Sequence, residues 1–84
     1  MNDFQKLMEV IVKKRDDFLK ETGMIPDTII VNEEQCKLMA NNYSTLDVKE
    51  IDNEPVLYMC NMKIIIDKDI KTNKDIIINK RRWG

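Results

Sequence analysis

Residues 28–35 read Thr28-Ile29-Ile30-Val31-Asn32-Glu33-Glu34-Gln35, a run of β-branched side chains that passes directly into a helix start. β-Branched residues favour a strand, and Asn32 with Gln35 three positions later has the pattern of a capping box. An ordinary half-solvated strand alternates apolar with polar residues, whereas an unbroken aliphatic run suits a strand covered on both faces. Two more such runs follow, Ile64-Ile65-Ile66 and Ile76-Ile77-Ile78. With 84 residues the chain has too little helix to cover both faces of a sheet, so alternate residues such as Ile65 and Ile77 are expected to point away from the helices. Leaving an isoleucine exposed forfeits about 1.5–3 kcal/mol. Several such positions would drive association with a second copy or with a different protein.

Upstream of this stretch the sequence predicts a helix over residues 3–22. Asn2 and Gln5 form a second capping box, Gly23 supplies a left-handed stop, and Pro26 forbids continuation. On a helical wheel Phe4, Leu7, Met8, Ile11, Val12, Phe18 and Leu19 occupy an arc of roughly 140° and form the expected core face. Glu9 with Lys13, and Asp16 with Lys20, have the spacing of solvent-exposed ion pairs. Arg15 falls inside the apolar arc. Either it lays its methylenes over the core and turns its guanidinium outward, or it is an interface arginine that pairs across a partner.

Downstream, a short helix is expected from Glu33 to about Asn41, burying Cys36, Met39 and Ala40, with Asn41-Asn42 as a left-handed exit. Residues 43–53 read as a loop with one edge strand, closed by a turn at Asn53-Glu54-Pro55. Three strands in meander order then follow: Val56 to Cys60, Lys63 to Asp67 after a tight connection near Asn61, and Asp75 to Asn79. The expected class is α+β, a single domain over residues 1–84, with a long and a short helix packed on one face of a small, mostly antiparallel sheet.

Composition narrows the chemistry. The apolar fraction is 43% and the charged fraction 35%, with a net charge of −1 and a pI near 5.4. This belongs to a folded protein without the basic excess of a phosphate binder. Histidine is absent, which removes the commonest general base near neutral pH and the commonest nitrogen ligand for zinc. Cys36 and Cys60 cannot complete a tetrahedral metal site and match no redox spacing. They are expected to stay reduced and buried. The segment 67–75 resembles a calcium loop but has lysine at its fifth position, no glycine at its sixth, and Ile78 where a bidentate glutamate belongs, so it reads as a solvated turn. Gly23 and Gly84 are the only glycines, too few for a phosphate cradle. No cofactor and no enzymatic activity are expected. No signal-peptide pattern or membrane span is present, so a cytoplasmic location is expected.

Two basic clusters remain, Lys13-Lys14-Arg15 and Lys80-Arg81-Arg82, the latter followed by Trp83. Arg81, Arg82 and Trp83 could pack on the sheet, dock into a partner, or stack on a nucleic acid. Residues 25–39, with Ile25-Pro26-Asp27-Thr28-Ile29-Ile30-Val31-Asn32 at their start, together with Met59-Cys60-Asn61-Met62-Lys63-Ile64-Ile65-Ile66-Asp67, resemble small phage and prophage proteins. The helix, the strand-to-helix step and the hairpin are also similar to the peripheral domain of tailed-phage major capsid proteins, with Asn61 in place of that family's glycine. The resemblance implies an accessory or host-directed phage protein, since no shell-forming domain or extended arm is present. Together these readings lead to a protein-binding module acting on a host protein inside a bacterium, such as an inhibitor or adaptor, with homodimer formation also open. A nucleic-acid-binding accessory protein and a structural subunit of a phage assembly are the alternatives. The expected partner-binding residues are Arg15, Ile65, Ile77, Arg81, Arg82 and Trp83.

Overall fold

Both helices begin as their capping boxes dictate. In the computed structural model, which describes residues 2–42, 47–51 and 54–80, helix α1 spans Asp3–Thr22 and helix α2 spans Glu33–Ala40. The Asn2 side chain accepts the Gln5 backbone N–H at 2.8 Å and the Gln5 side chain accepts that of Asn2 at 3.1 Å. Asn32 and Gln35 repeat the exchange at 2.7 and 2.9 Å. Each box satisfies two N–H groups that have no partner within the helix. Gly23 ends α1 in the left-handed region, with φ 69°, and donates to the Leu19 carbonyl. The exit from α2 departs from expectation. Asn41 stays right-handed, and Asn42 closes the helix by donating its side-chain amide to the Leu38 carbonyl.

Five strands form one sheet: β1 (Thr28–Val31), β2 (Asp47–Ile51), β3 (Glu54–Met59), β4 (Met62–Ile66) and β5 (Ile77–Asn79). Their order is β2-β3-β4-β1-β5, with β1 parallel to β4 and every other pairing antiparallel. The class is α+β as read from the sequence, and β2 supplies the expected edge strand. The meander is not as expected, because β1 lies between β4 and β5. Its ends are tied on both sides: Lys63 N–H donates to the Asp27 carbonyl, Asp67 N–H to that of Val31, and Asp27 N–H to that of Asn79. The physical reason is that β1 is the most aliphatic strand, and a central position buries its backbone along both edges. Between β4 and β5 the chain runs through a turn anchored by Ile70, 5% exposed, and a 3-10 turn at Asn73–Asp75. Segment 67–75 is therefore pinned to the core. Pro55 lies inside β3, opposite Glu50, where a turn was expected.

Alternation and register assign the faces. Ile29 and Val31 share one face with Met59, Met62, Ile64 and Ile78. Ile29, Val31, Met59 and Met62 are fully buried there and cluster with Leu7 and Ile11 of α1 and Cys36 and Met39 of α2. Ala40, expected in the core, is only half-buried. The apolar arc of α1 is also wider than the surface that covers it. Leu7 and Ile11 are buried, Phe4, Met8 and Phe18 half-buried, and Val12 and Leu19 are 48% and 43% exposed.

The β3–β4 turn places Cys60 at φ 51° and Asn61 at φ 63°. Two successive left-handed residues are the requirement of a type I′ hairpin, which Asn-Gly meets best. Cys60 is thus exposed in the turn and not buried as expected. Replacing Cys60-Asn61 by Asn-Gly should stabilise the domain by about 1 kcal/mol. Thermal unfolding checks this as a rise in Tm with the sheet signature in circular dichroism unchanged.

Candidate functional site

The face of the sheet away from the helices carries a row built across three strands. Ile30 of β1 is the register partner of Ile65 on β4 and of Ile77 on β5, so the three side chains stand side by side. Ile77 is 46% exposed and Ile65 half-buried, and between them Ile30 is shielded to 5%. One register step away lies a mainly polar row, Tyr58, Lys63, Thr28 and Asn79, again side by side on successive strands. Thr28 is fully buried there, its hydroxyl donating to the Asp27 carboxylate at 2.9 Å. An apolar centre beside a polar border is the anatomy of a protein interface. The structure thus brings together Ile65 and Ile77, and it adds Ile30 between them. The sequence could not place Ile30 because the position of β1 was not legible.

Arg15 lies elsewhere, on α1, half-buried, and its Nε is buried without a hydrogen-bond partner. The cluster Lys13-Lys14-Arg15 does not form one surface, since consecutive residues diverge by roughly 100° around a helix. Lys14 is committed to the fold, its ammonium donating to the Lys74 carbonyl at 2.8 Å. Arg81, Arg82 and Trp83 lie outside the described residues. The expected pairs Glu9–Lys13 and Asp16–Lys20 are not formed, whereas Glu33 and Lys37 pair at 3.3 Å on an exposed surface. Long exposed side chains gain too little from pairing to be held in one geometry.

A cleft of about 220 Å³ opens between the N-termini of both helices and the 3-10 turn, lined in part by Asp3, Lys6, Gln35 and Asn73. Its polar centre is already occupied by internal bonds. Gln35, 7% exposed, donates to Asn73 Oδ1 at 3.0 Å while accepting from Asn32, and Asn32 donates to the Ile70 carbonyl at 3.0 Å. This latch holds α2 to the turn. Among the described residues no group of three or more His, Cys, Asp or Glu side chains could hold a metal ion. Burial, reinforced by the Glu33 carboxylate, pushes the Cys36 thiol above its ordinary pKa. The Asp75 carboxyl is held below its usual range by the backbone N–H groups of Thr72 and Lys71, both at 3.0 Å.

No family model matches the chain, and neither a curated protein nor a solved structure does.

Two measurements follow from this geometry. A maleimide should label the exposed Cys60 rapidly and the buried Cys36 only on unfolding, read by mass spectrometry of the native protein against the protein in denaturant. Asp75 has a lowered folded pKa, so its stabilisation is present above the unfolded carboxylate range and lost as pH falls through the folded value. The Tm difference between wild type and Asp75→Asn should be largest at neutral pH and shrink below about pH 4.

Proposed function

We propose that this chain is a non-catalytic protein-binding module that engages its partner through the sheet face carrying Ile65, Ile30 and Ile77. The observation that supports the proposal is the half-exposed Ile77 in register with a continuous isoleucine row, beside a polar row, on the face opposite Ile29 and Val31. A domain of this size has little core to spare, so bulky aliphatics kept near solvent have a stability cost that binding recovers. The likeness of residues 25–39 and 59–67 to phage proteins makes a bacterial host protein the first partner to seek. An inhibitor or adaptor role is the corresponding reading, exercised in the host cytoplasm. Among the described residues no helix is long and apolar enough to cross a membrane.

The test is capture from lysate of the native host with nuclease-treated and untreated halves, using wild type, Ile77→Lys and the surface control Lys68→Glu as bait. A lysine is tolerated on an edge strand, so Ile77→Lys should leave Tm within a few degrees of wild type. The expected result is one protein retained by wild type and by Lys68→Glu in both halves, with at least tenfold less on Ile77→Lys. Equal capture by a folded Ile77→Lys would refute the assigned face, and loss of bound material after nuclease would transfer the function to nucleic-acid binding.

A further inference from the structure

The outer edge of β5 borders a groove that is separate from the isoleucine row on the sheet face. Hydrogen bonding along β1 fixes which backbone groups of β5 are turned toward this edge. Lys63 N–H donates to the Asp27 carbonyl and Asp67 N–H to that of Val31, so the odd-numbered residues of β1 bond to β4. Thr28 and Ile30 therefore turn their backbone groups to β5, where Asn79 and Ile77 are their register partners. Ile78, the residue between, directs its N–H and C=O away from β1, and β5 is the last strand on that side of the sheet among the described residues. The outward N–H groups on either side are already used, that of Ile76 by the Asn73 carbonyl and that of Lys80 by the Asn79 side chain. Ile78 thus presents one donor and one acceptor to whatever lies along the edge.

The groove, about 290 Å³, lies between Ile76, Ile77 and Ile78 and a face of α1 that carries Lys14, Asp17, Phe18 and Glu21. The Lys14 ammonium is held by the Lys74 carbonyl. Asp17 and Glu21, four residues apart on that face, are exposed, and neither is in an ion pair among the described residues. Like charges at this spacing repel, and a cation set between them removes the repulsion. We propose that the groove takes an extended segment of a partner protein, added antiparallel to β5 with an arginine opposite Ile78. Residues directly opposite on antiparallel strands exchange both backbone bonds and point to the same face. The arginine therefore lies on the helix side with Ile78, its methylenes over Phe18 and its guanidinium between Asp17 and Glu21. The next residue of the segment lies opposite Ile77 and points to the other face, where a β-branched aliphatic continues the row of Ile65, Ile30 and Ile77. The open main chain of Ile78 selects an extended segment over a helix, and the two unpaired carboxylates select a basic one.

Fluorescence anisotropy of a labelled peptide, Ser-Thr-Val-Thr-Arg-Val-Thr-Ser, titrated with the full chain to about 1 mM reads the contact directly. Wild type should bind it. Exchange of the peptide's arginine for glutamate and, separately, N-methylation of the arginine's backbone amide, which removes the donor to the Ile78 carbonyl, should each weaken binding at least tenfold. Asp17→Lys/Glu21→Lys should bind the arginine peptide at least tenfold more weakly and the glutamate peptide more tightly than wild type does. Asp17→Asn/Glu21→Gln gives the same loss for the arginine peptide if the charge reversal does not keep its helical circular dichroism. Absence of binding by wild type, or binding that survives N-methylation or the loss of both carboxylates, would overturn the proposal. So would a peptide-free chain that sediments as a dimer and is dissociated by Asp17→Lys/Glu21→Lys, which would assign the groove to a second copy.

Discussion

The constraint on which the structure depends is the enclosure of β1, bonded along both edges and buried over its whole length. Every residue of β1 is kept from water, and the other elements are arranged around it. Parallel pairing with β4 requires a crossover connection, here supplied by α2 and the β2–β3 hairpin. Antiparallel pairing with β5 covers the other edge of β1. Ile29 and Val31 then anchor the helices, while Thr28 and Ile30 face away from them.

The same arrangement generates the candidate interface. A central strand whose four residues are apolar or small, flanked by two isoleucine-rich strands, cannot bury all its aliphatics under one layer of helix. Ile30 is buried to 5% and belongs to the core cluster, while Ile77 on the edge strand stays 46% exposed. α1 shows the same geometry at the level of a helix. Its apolar arc is wider than the sheet beneath it, so Leu7 and Ile11 fill the core and Val12 and Leu19 remain half in solvent.

The local signals in the sequence were legible wherever one interaction dictates the conformation. Both capping boxes and the Gly23 stop are examples; both helices and strands β1, β3, β4 and β5 could be read to within a few residues, while β2 was legible only as an edge strand somewhere in 43–53 and the start of β3 was read as a turn. Strand order was not legible, since nothing in the residues of β4 or β5 shows that β1 inserts between them. Nor was the burial of α1, because the wheel gives a direction and the width of the opposing surface decides how much of the arc is covered. Cys60 was misplaced for a related reason: a small apolar residue is ordinarily buried, and the tight register of Met59 with Met62 forces it into the turn.

Native-state amide hydrogen exchange, resolved by residue, tests the position of β1 most directly. If β1 lies between β4 and β5, the amides of Ile29, Ile30 and Val31 should exchange only through global unfolding, as the slowest set in the sheet, while outward-facing amides of β2 and β5 exchange by fraying. Rapid exchange along β1, with β4 and β5 protecting each other, would mean that these strands pair directly, and the isoleucine row would not exist.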